Sequence, residues 1–295
     1  MPKTSSTLRR PPFSFIFKLL FYNLVSLFKP IRKAPKEEIV IKSNEIRIWA
    51  LGHATVLINL LGKTILTDPI FSNWLPPFIR RSVAYPFEVS ELPPIDYLVI
   101  SHAHLDHFHK KSLRLLAPKT ANLIIPSRCL DLIRGMEFKN VVELGWGETY
   151  KKEVTIHTFK PRHWGFRYLW EKEERGYNAY LFENNGKSVF FGGDTGYGDL
   201  FKKVSSKYSV GFAILPIGAY NNPPTFRPNH MNPEDALQAF KDLKAKHLIP
   251  IHWGNFKLSL EPINEPAGIL GNLAKLGNIE DRVHILENGK SFSNG

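Results

Sequence analysis

Residues 101–110 read SHAHLDHFHK and follow directly on the apolar run YLVI, so three histidines and an aspartate, His102, His104, Asp106 and His107, fall within six positions. A strand that ends at Ser101 delivers the next residues to its carboxyl edge, where the loops of α/β folds build their sites. In extended backbone, residues two apart face the same way, so His102 and His104 can hold one metal ion while Ala103 and Leu105 turn inward. Where the chain bends toward a helix, Asp106 and His107 can turn to a second ion beside the first. A merely decorative polar loop would need four metal-capable side chains to fall at this spacing by chance.

A single cysteine, Cys129, excludes an internal disulfide and any paired-cysteine zinc site. It makes a reducing, cytoplasmic compartment the expected one and leaves His, Asp and Glu as ligands. A closed set of four protein ligands would be structural, whereas a catalytic ion keeps a position open for water. Further ligands should therefore arrive from other strand ends. His163 in KPRHWGF follows VTIHTF, Asp194 in FFGGDTGYG follows SVFF among glycines that allow close backbone approach, and His252 in IPIHWG follows HLIP. Each comes at or shortly after the end of a hydrophobic run.

From residue 39 onward, short β runs bounded by turn residues alternate with later helical patterns. Strands are expected in EIRIWALG, TVLINLLG, KTILTDP, YLVISH, NLIIP, VTIHTF, NAYLFEN, SVFFGGD, FAILPIG and HLIPIHWG, and helices in HKKSLRLLA, RCLDLIRGM and NPEDALQAFKDLKA. In the last, Asn232 is placed to cap the first turn, Pro233 suits the first helical position, and Glu234 and Asp235 lie at the positive end of the helix dipole. No low-complexity linker divides residues 39–295, so one α/β domain with two sheets covered by helices is the simplest architecture.

Residues 1–38 read as a basic, apolar tail. The first 36 residues carry eight bases and no acids, so the rest holds only +4 of the net +12, too little to suggest a nucleic-acid partner. Within the tail, residues 13–28, FSFIFKLLFYNLVSLF, form a mostly apolar helix with Ser14, Lys18, Tyr22 and Ser26 as a narrow wetter stripe and Asn23 off it. Such a segment is roughly 24 Å long, short of the hydrocarbon core of about 30 Å. It is expected to lie on a membrane surface, at the inner face because Lys18 and the lack of a small-residue cleavage site argue against an export signal. Packing on its own domain is the alternative.

The metal signature and its surroundings carry a resemblance. SHAHLDH resembles the HxHxDH signature of the metallo-β-lactamase fold, and LGHATVLI, TDPIFS, SELPPIDYLVISHAHLDH, FFGGDTGY, LPIGAY, NHMNPEDA and IHWGNF together resemble the N-acylphosphatidylethanolamine-hydrolysing phospholipase D family and its bacterial relatives over about residues 45–290. The resemblance implies an αβ/βα sandwich of two mixed β-sheets flanked by helices, with two zinc ions between the sheets. His102, His104 and His163 would hold the first ion, Asp106, His107 and His252 the second, and Asp194 would bridge them. Neutral imidazoles suit zinc, and a carboxylate bridge screens the repulsion of two dications. A hydroxide held between the ions, formed because metals lower the pKa of water toward about 7, is the expected nucleophile. It would split the phosphodiester of an N-acylphosphatidylethanolamine into an N-acylethanolamine and phosphatidic acid. His230, just before a helix start, resembles an active-site histidine of the family and joins Asp106 as a catalytic candidate.

His53 and Asp68 look like groups that orient ligands, and Tyr220 is a candidate for the cleft wall. His109, His157, His247 and His284 have no partner pattern and read as core or surface residues. Trp74, Phe78, Trp164, Phe166, Trp253 and Phe256 are candidates for an acyl-chain groove or for core, and Arg80 and Arg81 for a phosphate contact or a solvated pair. A lactone, thioester or sugar phosphate is the alternative substrate, because ligands alone do not specify one. Two further rivals are a nuclease, for which no basic arm is seen, and a non-catalytic lipid-binding protein, against which the complete ligand set argues. The sequence leaves the metal's identity and the oligomeric state open, a homodimer included.

Overall fold

The computed structural model describes residues 12–76, 78–168, 170–221 and 226–294. The chain starts with α1 (Phe13–Ser26) and runs through β1 (Ile46–Gly52), β2 (Thr55–Leu60), β3 (Lys63–Thr67), the short hairpin β4 (Trp74–Leu75) and β5 (Ile79–Arg80), and β6 (Ile95–Val99). There follow α2 (Lys110–Leu116), β7 (Thr120–Pro126), β8 (Val141–Leu144), β9 (Thr149–Lys151), β10 (Thr155–Phe159), β11 (Ala179–Asn184) and β12 (Lys187–Phe191). The last elements are α3 (Leu200–Ser205), β13 (Phe212–Pro216), α4 (Pro233–Asp242), β14 (His247–Ile251), α5 (Glu265–Leu276) and β15 (Ser291–Asn294).

The strands form two sheets, ordered β15-β1-β2-β3-β6-β7-β8 and β14-β13-β12-β11-β10-β9. Both are mixed in the same way. In the first, β15 to β3 pair antiparallel and β3 to β8 parallel; in the second, β9 to β12 pair antiparallel and β12 to β14 parallel. The β-branched and aromatic residues that favour strands also fill the space between the sheets. Ile46, Ile48, Val56, Ile58, Tyr97 and Val99 from one sheet meet Ile156, Tyr180, Phe182, Phe191 and Ile214 from the other, all buried. The outer face of the second sheet packs on Phe201, Ala236, Phe240 and Leu270 of α3, α4 and α5, and that of the first on Leu113 and Leu116 of α2. The result is the four-layer αβ/βα arrangement expected from the resemblance.

This topology gathers strand ends. β3, β6, β12, β13 and β14 are the strands with parallel pairing that run straight into the segments carrying Asp68, His102, Asp194, Ala219 and His252. Two hydrogen bonds tie the sheets together at this rim, Asn178 N–H donating to the Ser101 carbonyl (2.8 Å) and His252 N–H to the His53 carbonyl (3.0 Å).

Several local expectations need correction. RCLDLIRGM is no α-helix; Leu130–Ile133 forms one 3-10 turn, because Cys129, Leu132 and Ile133 are drawn into the core and Gly135 follows at positive φ. Helices α3 and α5 and strands β8, β9 and β15 were not expected. α5 contains Gly268 and Gly271, which blur its helical period, and β15 is a four-residue edge strand with one large apolar residue. Residues 12–38, read above as a tail with packing on the domain as the alternative, make contacts with the rest. Lys36 pairs with Glu91, Glu37 N–H donates to the Gly289 carbonyl (3.0 Å), and Arg32 bridges to Val83.

The Asn232 cap is as read: its side-chain oxygen accepts from the Asp235 N–H at 2.9 Å, with Pro233 at the first helical position. Asn232→Ala should lower stability by about 1 kcal/mol, seen as a lower urea midpoint with an unchanged slope; an unmoved midpoint would mean that packing alone holds α4.

Candidate metal centre

Seven of the eleven histidines converge at the rim with Asp106 and Asp194. The nearest-set group is His102, His104 and His163: His104 Nδ1 lies 2.7 Å from His102 Nε2 and 3.3 Å from His163 Nε2. Beside it stand His53, Asp106, His107 and His252, with Asp106 Oδ2 3.1 Å from His53 Nε2, 3.5 Å from His252 Nε2 and 3.6 Å from His107 Nε2. Asp194 lies between the groups, its Oδ2 3.3 Å from His107 Nε2, 3.2 Å from His252 Nε2 and 3.4 Å from His230 Nε2.

The backbone is shaped to bring these groups together. His53, Asp68, Ala219 and His252 all adopt positive φ (58°, 36°, 62° and 63°), a strained region for residues with a Cβ. Gly193, at φ 56°, precedes Asp194 where a Cβ would stand 2.7 Å from Ser101 Cβ. Only a glycine lets the two sheets' loops approach that closely.

The far nitrogens of the histidines are held by hydrogen bonds that set their tautomers. Buried Asp68 accepts from Ser101 N–H (2.7 Å), from Ser101 Oγ–H (2.6 Å) and from His107 Nδ1 (2.7 Å). Ser101 Oγ in turn accepts from His102 Nδ1 at 2.9 Å, and His163 Nδ1 donates to the Asn229 carbonyl at 3.1 Å. Nε2 of His102, His107 and His163 is thereby turned to the cluster.

Titration behaviour follows from burial and charge. Burial pushes His102 and His163 well below the ordinary histidine range, His104 down to about 4 and His53 down to about 3. These rings are neutral, as metal ligands must be, and neutral His53 keeps one N–H for Asp106. His252 is pushed up to about 9 and His107 well above its ordinary value: burial opposes the charge, but Asp194 and Asp106 outweigh it. Burial likewise opposes the charges of Asp106 and Asp194, and His107 and His252 hold both carboxylates well below the usual range.

This donor set fits a metal ion. His107 Nε2, His252 Nε2 and Asp194 Oδ1 are buried and make no hydrogen bond, a costly condition that a shared cation relieves. Asp106 and His104 are partly exposed, which leaves the centre a solvent side.

Of the other candidates, His53 and Asp68 do touch the ligands, His53 inside the cluster and Asp68 behind it. Tyr220 instead donates its hydroxyl to Glu265 (3.0 Å). His109 caps α2, His157 pairs with Glu183, and His247 and His284 contact each other (3.0 Å), so none of these four joins the centre. The aromatic candidates divide. Trp164 stacks on His163 (ring centroids 4.5 Å apart), Phe256 meets His53 edge-on, Trp253 lines a cavity of about 250 Å³ behind His53, and Trp74 and Phe78 stand exposed on and beside the β4–β5 hairpin. Arg80 and Arg81 are not a solvated pair, because only Arg80 is partly exposed. Arg81 is buried and donates to the carbonyls of Ile70 and Ser72 and to Asn255, while Arg80 donates to the carbonyls of Leu27 and Lys29. Sequence reasoning missed Ser101, whose role appears only when Asp68 is beside it.

The family model described as Beta-lactamase superfamily domain matches residues 63–253. The chain is 34% identical over 243 residues to the mitochondrial N-acyl-phosphatidylethanolamine-hydrolyzing phospholipase D of Saccharomyces cerevisiae, covering 78% of this chain and 52% of that protein. It is 29% identical over 280 residues to N-acyl-phosphatidylethanolamine-hydrolyzing phospholipase D 1 of Caenorhabditis elegans, covering 84% and 78%. Thus the chain spans about half the length of the yeast relative. Among solved structures, a possible metal-dependent hydrolase of Veillonella parvula (TM-score 0.69, 17% identity, 84% of this chain and 99% of that one) and an isothiocyanate hydrolase from Delia radicum gut bacteria (TM-score 0.68, 21% identity, 83% and 98%) share the fold.

Two outcomes follow from the geometry. Asp68→Asn should weaken metal binding about 10- to 100-fold, measured by competition with a chromogenic chelator; undiminished affinity would remove Asp68 from the orientation of His102 and His107. In the metal-free protein, the raised pKa of His252 contributes stability that is complete below pH 6.5 and lost as pH rises through about 9. Its melting temperature should fall across that window, while metal affinity rises because uptake must displace those protons. Metal uptake at neutral pH without proton release would contradict this charge assignment.

Proposed function

The chain belongs to the β-lactamase superfamily and is a metal-dependent hydrolase, and from that premise we propose that it cleaves a phospholipid phosphodiester, with N-acylphosphatidylethanolamine as the substrate and zinc as the metal. The observation that carries the reading is the agreement of the 34% identical yeast phospholipase D with a centre that has two ligand groups, one carboxylate between them and a spare histidine beside it. His102, His104 and His163 would hold one ion and Asp106, His107 and His252 the other, with Asp194 shared. Zinc, when bound, supplies Lewis acidity and a water molecule acidic near neutral pH, with a pKa lowered toward about 7.

The chain's own residues do the rest. Asp68 and Ser101 fix the rings of His102 and His107, and His53, neutral, donates from Nε2 to Asp106 Oδ2 (3.1 Å) and so fixes that carboxylate. His230 is the spare group. Its Nδ1 donates to the Phe226 carbonyl (3.2 Å), which directs Nε2 toward Asp194, where it can take up the proton that the attacking water loses and pass it to the departing oxygen. Water adds to phosphorus, the bond from phosphorus to the ethanolamide oxygen breaks, that oxygen gains the proton, and phosphatidic acid remains.

The test is incubation of the zinc-loaded protein with N-acylphosphatidylethanolamine in mixed micelles, with both products followed by mass spectrometry and Asp106→Asn as control. Wild type alone should release them in equal amounts. His230→Ala should lower kcat by about 10²- to 10⁴-fold with metal content unchanged. A metal-loaded protein that releases neither product but hydrolyses a lactone, thioester or sugar phosphate would overturn the phospholipase reading.

A further inference from the structure

Helix α1 is apolar on nearly every side, a pattern that normally means burial all round. Here only a narrow stripe is covered, Phe15 and Asn23 fully and Leu19 and Ser26 in part, at helical spacing. The wetter stripe of Ser14, Lys18 and Tyr22 is not the docked one; all three are exposed. Large apolar side chains cover the rest of the surface: Phe13 is 83% exposed, Phe17 64% and Phe28 86%, with Ile16, Leu20, Phe21 and Leu24 between them. Beside α1 lies the β4–β5 hairpin, where Phe78 is 68% exposed and Trp74 is also exposed. Exposed apolar side chains in such number, on two neighbouring elements, mark an interaction site.

The helix is fastened to the domain by specific polar contacts. Asn23 Nδ2 donates to the Lys257 carbonyl (3.1 Å), and Arg80 of the hairpin donates to the carbonyls of Leu27 (2.6 Å) and Lys29 (2.8 Å), which closes the helix C-terminus. Both elements reach the metal centre through aromatic contacts. Phe15 meets Phe226 (5.3 Å between ring centroids), which meets His230 (5.7 Å); Arg81, next to the hairpin, stacks on Phe256 (4.5 Å), which meets His53 (5.4 Å).

We infer that α1 and the β4–β5 hairpin together form one docking surface for an anionic lipid bilayer, seated on the domain so that the metal centre is held at the membrane. Charge chooses this occupant: residues 12–35 carry Lys18, Lys29, Arg32 and Lys33, all exposed, and no acid, and exposed bases flanking an apolar helix face suit anionic headgroups. Length excludes a span, since 14 residues reach about 21 Å, and among the described residues no helix is long and apolar enough to cross a membrane. As an account of why α1 sits there, this rests on the phospholipid reading; its test reads binding and not turnover.

The full chain is sedimented with phosphatidylcholine vesicles with and without phosphatidylglycerol, at low and high salt, beside the double variant Phe17→Asp, Phe21→Asp. Wild type should bind the anionic vesicles, more weakly at high salt, and the variant should bind on the order of 100-fold more weakly with an unchanged melting temperature and metal content. Equal binding by the variant, or no binding by wild type, overturns the inference. So does light scattering that finds a wild-type dimer dissociated by the variant while neither binds vesicles, since the face would then be a self-association surface. Vesicle binding with no cleavage of N-acylphosphatidylethanolamine keeps the docking surface and removes the phospholipase reading alone.

Discussion

The buried carboxylate of Asp68 is the constraint on which the rest of the centre depends. Two histidines from the two ligand groups, His102 and His107, are oriented by this one side chain, the first through Ser101 and the second directly. Its place follows from the register of a single parallel pair: Thr67 of β3 lies beside Val99 of β6, so Asp68, one residue further on, and Ser101, two residues further on, meet at the carboxyl edge. Slipping that register by one residue would turn the side chains to the wrong faces. Burial raises the pKa of Asp68 against its hydrogen bonds from His107 and Ser101, so the carboxylate is tolerable there only because every donor around it is aimed at it.

The second sheet completes the centre by the same device. β12, β13 and β14 are parallel neighbours, and their carboxyl ends supply Asp194, the turn at Ala219 and His252. At both rims the chain leaves its strand through left-handed backbone, and Gly218 permits a contact there that a Cβ would forbid, 2.1 Å from the His252 carbonyl. Strain concentrated at His53, Asp68, Ala219 and His252 is sustained by the buried sheets behind them. A cluster of rings and carboxylates this dense would otherwise spread apart in water.

Why the centre was legible and other parts were not has a physical explanation. Ligand chemistry is dense in HAHLDH, and apolar β runs announce where strands end, so His163, Asp194 and His252 could be found by position. The helix read into residues 128–136 failed because local propensity was overridden by core burial of Cys129, Leu132 and Ile133. α5 was missed because glycine weakens its period. Ser101, Arg81 and Asn23 each depend on a partner distant in sequence, Asp68, Asn255 and the Lys257 carbonyl, and the sequence of one chain shows no such pairing.

Asn23 shows how little the composition of a segment says about its orientation. In a helix apolar all round, any face can dock, and the hydrophobic effect, being non-directional, does not choose. One amide does: Asn23 Nδ2 reaches Lys257 on the domain and Leu19 within the helix, and that turns Phe15 inward and Phe17 outward. Burying Phe15 contributes about 1.5–3 kcal/mol and each hydrogen bond about 0.5–1.5 kcal/mol, so α1 is seated by a few kcal/mol. That is enough to fix an orientation and too little to bury the remaining aromatic surface, which the fold leaves facing outward next to the hairpin.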